Sequence, residues 1–143
     1  MTTPQPGITQ LNADLAESLR EGGFESLVLF DVDHFHQINA ALGAKTGGSI
    51  LALVDEIVTG LAPKSYRIGG DSYAALGITS EGANDIRGAV KQAAQQRLEA
   101  RVSLSGGGVR IRRDLLVVSE ESVRLLYAAA SQMLALTKQG ARD

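Results

Sequence analysis

With 143 residues, 44% of them hydrophobic and 21% charged, the chain has the size and balance of one globular domain, which excludes disordered, collagen-like and coiled-coil classes. Lys+Arg number 14 and Asp+Glu 16, and a net charge of -2 gives no global pull toward a long nucleic acid or an anionic membrane. The absence of Cys removes disulfides and thiolate chemistry, and with neither a membrane-length apolar run nor a basic, apolar leader in Met1–Gly7, a soluble cytoplasmic protein is expected.

In chain order, Leu11, Leu15 and Leu19 recur at helical spacing until Gly22-Gly23 stops the helix. Ser26 to Asp33 is a nearly continuous apolar run and predicts a central strand. Phe35, Ile38 and Leu42 predict a short helix ended by Gly43, and Ile50 to Leu61 a longer one ended by Pro63. Lys64 to Ile68 and Tyr73 to Ile78 are strand-like runs around Gly69-Gly70, which predicts a hairpin whose turn uses the glycines' tolerance of positive φ. Glu81 to Gln96 reads as a helix, Leu98, Ala100, Val102 and Leu104 alternate as a strand, and Gly106-Gly107-Gly108 predicts a turn into a further strand at Val109 to Arg113. Val123, Leu126, Tyr127, Ala130, Met133, Leu134 and Thr137 define a last helix. The order helix, β, α, α, β, β, α, β, β, α predicts an α/β (α+β) fold, a ferredoxin-like palm with a mostly antiparallel central sheet flanked by helices.

Chemistry concentrates where the first strand ends. Period-2 alternation sends Asp31 and Asp33 to one face, and Asp71 follows the Gly69-Gly70 turn. If the hairpin lies beside the first strand, three carboxylates converge. Like charges about 4 Å apart repel by about 4 kcal/mol at an effective dielectric of about 20, so such a cluster calls for a divalent cation. Hard oxygen ligands without Cys or His suit Mg2+ (or Mn2+), which is typically shared with substrate phosphates. The bland alternative stays open: Asp33 can cap a helix beginning near His34, and Gly-Gly-Asp-Ser is an ordinary turn composition.

Asp31-Val32-Asp33-His34-Phe35, Ile38-Asn39, Gly43 and Tyr66-Arg67-Ile68-Gly69-Gly70-Asp71-Ser72-Tyr73 resemble the signature segments of the GGDEF family of diguanylate cyclases. Ile8-Thr9-Gln10-Leu11-Asn12 is similar to a worn form of that family's opening motif, Val102 to Gly107 to its late strand, and the last helix to its closing motif. The chain is more distantly similar to the small stand-alone palm domains related to CRISPR polymerases. The resemblance implies a single GGDEF-like palm domain over residues 1–143, condensing nucleoside triphosphates (ATP and/or GTP) across a homodimer into a cyclic dinucleotide second messenger. It also implies catalytic roles for Asp31 and Asp71, metal ligation by Asp31, Asp71 and the Val32 carbonyl, phosphate contact at the backbone of Phe35 and His36, and base contact at Asn39. Asp33 joins the metal candidates by its place on the strand, and Gly69, Gly70 and Ser72 join the nucleotide-binding candidates by theirs at the turn. Catalysis would be positioning plus charge neutralisation by metal ions.

Several positions depart from the family pattern. Ser72 stands where the family has Glu, and Gly48 where it has the Asp that reads guanine, which leaves room for ATP. Thr137 and Ala141 replace the phosphate-holding Lys and Arg, while Lys138 and Arg142 keep their spacing one place later. The inhibitory R-x-x-D falls on Gly60 and Pro63.

The remaining candidates are weaker. His34 and His36 point to different faces of a helix, Arg110, Arg112 and Arg113 read as a solvated edge, and Ser72 and Ser105 have no His partner for nucleophilic catalysis. Two functions therefore compete: a metal-dependent nucleotidyl cyclase of altered base preference, and a silent GGDEF-like domain that binds nucleotide and signals through a protein effector.

Overall fold

The computed structural model describes residues 7–141, with side chains through residue 139. Helix α1 (Ile8–Glu21) buries Leu11, Leu15 and Leu19 on one stripe and ends at Gly22, whose N–H still donates to the Ser18 carbonyl and whose φ of 87° turns the chain out of the helix. Strand β1 (Ser26–Val32), helices α2 (Phe35–Leu42) and α3 (Ala44–Leu61), the hairpin β2 (Lys64–Arg67) and β3 (Ser72–Leu76), helix α4 (Ser80–Leu98), strand β4 (Leu104–Arg110) and helix α5 (Glu120–Ala141) follow.

The four strands form one antiparallel sheet in the order β2-β3-β1-β4, so β1 is central, as its apolar run requires. Alternate residues of β1 serve two cores. Val28, Phe30 and Val32 pack with Tyr73 and Ala75 against α3 and α4, with α2 at the margin. Leu27 and Leu29 pack with Ala74 and Leu76 against α1 and α5. The predicted α+β palm with helices on both faces is the fold observed.

Three local expectations are corrected. Gly106-Gly107-Gly108 is the middle of β4, not a turn, and it pairs with Phe30, Leu29 and Val28. The reason is the approach of α5: a Cβ on Gly107 would stand 2.1 Å from the Leu134 backbone nitrogen. Leu98 to Ser103 is not a strand, because Leu98 closes α4, Glu99 takes a left-handed conformation (φ 50°), and residues 100–103 belong to no ladder; β4 opens only at Leu104. Ala100, Val102 and Leu104 are buried, so the alternation records burial on one side rather than pairing. Gly69 and Gly70 are not among the positive-φ residues; the hairpin closes through a wider tip in which the Ile68 and Gly69 N–H groups both reach the Ser72 carbonyl, at 3.0 and 3.3 Å. Helix α3 also starts earlier than its apolar period, taking in Gly47 and Gly48. Among the described residues no helix is long and apolar enough to cross a membrane.

Candidate functional site

The carboxyl end of β1, the β2–β3 tip, the start of α2 and the last turns of α5 come together at one end of the sheet. Leu27, Leu29 and Asp31 share a face by period-2 alternation, so Asp31 extends the α1/α5-facing row beyond the apolar core. It is opposite Ser72 on β3 and Ser105 on β4. Directly opposed residues of an antiparallel pair project to the same face, which makes Ser72 the hairpin side chain that meets Asp31. The Ser72 hydroxyl donates to Asp31 Oδ1 at 2.5 Å, and the Lys138 ammonium of α5 donates to Asp31 Oδ2. Asp31 keeps only 19% of its side-chain exposure.

Asp33 does not cap α2. Its two oxygens accept the Ser105 hydroxyl at 2.5 Å and the Ser103 hydroxyl at 2.6 Å, while its own N–H donates to the Ser103 carbonyl at 2.9 Å. His34 stands at the N-cap position of α2 in a left-handed conformation (φ 55°, ψ 34°) with no side-chain cap bond, and His36 is exposed on the first turn. Asp71 lies in the bend before β3, where its carbonyl accepts the Val32 N–H at 3.2 Å. Its nearest alternates along the strand, Tyr73 and Ala75, belong to the α3/α4 core, so Asp71 is out of the row that Ser72 and Asp31 form.

The divalent cation that the resemblance implies asks for several oxygens with at least two carboxylates free to turn toward it. The residues do not fit that demand as they are arranged. Both Asp31 oxygens are engaged, one by an ammonium, both Asp33 oxygens accept hydroxyls, and among the described residues no group of three or more His, Asp or Glu side chains is set to hold a metal ion. The three expected carboxylates are therefore not assembled into one cluster.

The nucleotide-facing candidates form a second patch beside it. Phe35 and Ile38 of α2 pack on the edge of the α3/α4 core. Asn39 lies over Gly47, so closely that a Cβ there would be 2.2 Å from Asn39 Oδ1 and 3.4 Å from Phe35 Cζ. Gly48 is exposed, and nothing lies within 4 Å of where its Cβ would be. Gly70 is likewise open, while the position of a Gly69 Cβ is 3.3 Å from the Ser72 Cβ. Thr137, one residue before Lys138, donates to the Gly106 carbonyl at 3.1 Å. Arg142 lies outside the described residues.

Sequence reasoning gave no role to three residues that organise this end. Ser103 and Ser105 saturate Asp33. Arg67 bridges the hairpin tip: Nη2 donates to the Gly70 carbonyl at 2.7 Å, Nη1 is 3.7 Å from Asp55 Oδ2, and the guanidinium sits 5.9 Å from the Tyr73 ring centre. Asp55 Oδ1 is buried there without a hydrogen-bond partner. The one signal in the sequence was an Arg two residues before a glycine pair. Arg112 is paired with Asp114 at 2.9 and 2.7 Å, and Arg113 donates to the Leu19 and Arg20 carbonyls at the end of α1, so these two serve the surface and a helix terminus.

Known proteins share this fold. The GGDEF domain of YfiN from Pseudomonas aeruginosa superposes with a TM-score of 0.72 at 20% identity, over 95% of this chain and 91% of that one. The GGDEF domain of DgcB from Caulobacter crescentus, solved in complex with c-di-GMP, gives 0.70 at 20% identity over 92% and 82%. The diguanylate cyclase SiaD from Pseudomonas aeruginosa, solved with its activator SiaC, gives 0.70 at 21% over 95% and 56%. No curated protein matches the chain in sequence. These likenesses establish the fold, and the family model described as "Diguanylate cyclase, GGDEF domain" matches residues 8–143. The chain therefore belongs to the GGDEF family, the family of the diguanylate cyclase domain.

Proposed function

We propose that this chain is a GGDEF domain that keeps nucleotide recognition and has lost most or all turnover, reporting a bound nucleotide to a protein partner. One observation carries the reading: the hairpin residue that faces Asp31 across β1 and β3 is Ser72, a hydroxyl that donates to Asp31 where a second acid would share a cation with it. Cyclases of this family generally depend on a divalent metal. With Asp71 out of the row, Asp31 has no carboxylate partner on its own face from the hairpin. The space at Gly48, one residue from the Gly47 that Asn39 and Phe35 cover, is open for a base, and the space at Gly70 for phosphate. Relatives lend support: the DgcB domain binds c-di-GMP, and SiaD binds a protein activator.

A second reading is a slow cyclase, acting as a homodimer on ATP and/or GTP with Mg2+ or Mn2+. The retention of Asp31, Asp33 and Asp71 at one end of the sheet favours it. On this reading Gly48 offers guanine no carboxylate, so selection leans to adenine, and Ser72→Glu raises turnover by returning an acid to Asp31's side.

Incubation with labelled ATP and GTP under Mg2+ or Mn2+ separates the two. The receptor binds nucleotide and releases no pyrophosphate under either metal. Release of pyrophosphate with a labelled dinucleotide product establishes the cyclase and overturns the receptor.

A further inference from the structure

We propose that the Lys138 ammonium is the resident cation of the Asp31 site, a tethered counter-ion that occupies the place a divalent metal would need, so that this end of the fold takes up no divalent ion by itself. The delivery of Lys138 is built into the fold. Gly107 lacks the Cβ that would meet the Leu134 backbone, so α5 lies directly against β4. One turn further on, the Thr137 hydroxyl fastens the helix to the Gly106 carbonyl, and the next side chain, Lys138, reaches Asp31. Its own helix and the sheet thus hold the ammonium at Asp31 Oδ2, while Ser72 closes Oδ1.

Charge and donor counting point the same way. Asp31 and Lys138 neutralise each other, which leaves Asp33 as the one uncompensated carboxylate in the row, and both of its oxygens already accept serine hydroxyls. A divalent ion entering here must displace an ammonium that is covalently tethered and cannot diffuse away, and it would find hydroxyls where it needs anionic oxygens. Ser72, Ser103 and Ser105 suit a site that is complete without metal, because each donates to a carboxylate rather than competing for a cation.

The inference concerns the same site as the receptor reading, and the two fail separately: pyrophosphate release overturns the receptor, whereas binding of metal alone overturns the tethered cation. The test is titration of the full chain with Mn2+ in the absence of nucleotide, following the free-ion signal by electron paramagnetic resonance. Wild type is expected to show no saturable binding up to millimolar Mn2+. Lys138→Met should bind at least tenfold more tightly, Ser72→Glu combined with Lys138→Met more tightly again, and Lys138→Arg should behave as wild type. Equal binding by wild type and Lys138→Met overturns the proposal. A measurement on wild type alone stands even where a variant fails to fold: paramagnetic broadening of the Asp31, Ser72 and Ser105 amide resonances by Mn2+ would overturn it, and unbroadened resonances support it.

Discussion

Tyr66 and Tyr73 are the largest fully buried side chains, and each hydroxyl has found an acceptor: Tyr66 donates to Asp14 Oδ2 at 2.5 Å and Tyr73 to the Leu51 carbonyl at 3.2 Å. Burial first, then the hydrogen bond and charge of Asp14, pushes the Tyr66 hydroxyl well above the ordinary tyrosine range; burial first, then the charge of Asp55, does the same for Tyr73. The folded state therefore holds these protons where the unfolded chain gives them up. The stability they represent is fully present below about pH 10 and is lost as pH rises beyond it, with a slope of up to about 1.4 kcal/mol per pH unit for each tyrosine. Urea melts between pH 9 and 11 should show the decline, and Tyr66→Phe should flatten it while costing about 1 kcal/mol at neutral pH. An unchanged alkaline slope in Tyr66→Phe would remove Tyr66 from the account. A second residue-scale test separates fold from recognition. Gly47→Ala puts a Cβ into the space of the Asn39 amide, a movable side-chain end, and exchanges a helical glycine for alanine. Stability is expected to hold or to rise by up to about 1 kcal/mol, while nucleotide affinity falls at least fivefold as Asn39 is displaced. Gly48→Asp enters open space and should turn preference toward GTP in paired ATP and GTP titrations. Unaltered nucleotide binding in both variants would place the base elsewhere.

At the scale of elements, α5 lies backbone to backbone against β4 at Gly107. A Cβ on Gly107 would lie 2.1 Å from Leu134 N, 2.6 Å from Leu134 Cα and 2.7 Å from Met133 C, all backbone atoms that cannot step aside unless the helix lifts. A Cβ on Gly108, its neighbour, would meet the Val28 Cγ2 side-chain atom at 3.2 Å and the Leu27 carbonyl oxygen at 3.6 Å, the latter an ordinary contact. Gly107→Ala should cost at least about 3 kcal/mol, and Gly108→Ala about 1 kcal/mol or less. Similar losses in the two variants would show that helix and strand are not held backbone to backbone. The same contact explains what the sequence could not reveal. Three consecutive glycines read as a turn when only local propensity is considered, and their role in a strand exists only once α5 is laid across them. The period-2 pattern from Leu98 to Leu104 failed for a related reason, since burial of alternate residues follows from one covered side whether or not a ladder forms. Elements whose signal is a long stripe, α1 through Leu11, Leu15 and Leu19 and α5 through Val123, Leu126, Ala130 and Leu134, were legible because one face meets one core. The site was half legible. Asp31 and Asp33 on one face follow from alternation alone, whereas the register that sets Ser72, not Asp71, opposite Asp31 depends on how many residues the hairpin tip spans.

For the whole molecule, the two cores leave one end of the sheet to polar groups, and those groups satisfy one another without outside help. Ser72, Asp31 and Lys138 on one side and Asp33, Ser103 and Ser105 on the other tie β3, β1, β4, α5 and the segment before β4 together. A fold closed in this way owes none of its stability to a bound metal, in contrast to sites whose carboxylates repel until an ion enters. Chelation should therefore leave the melting temperature where it is. A nucleotide that binds only the folded state adds stability by mass action, about 2.7 kcal/mol at a hundred times its dissociation constant, or roughly 10 °C for a domain of this size. Because the tethered ammonium needs no metal to neutralise Asp31, that increment should be as large in EDTA as in Mg2+, and Lys138→Met should lose most of it in EDTA. Thermal melts of the two proteins with ATP and with GTP, each in EDTA and in Mg2+, measure all of these terms at once. A rise of several degrees with Mg2+ alone, or a nucleotide increment seen only with metal, would overturn the tethered cation and restore a metal-dependent site, leaving turnover to the pyrophosphate assay.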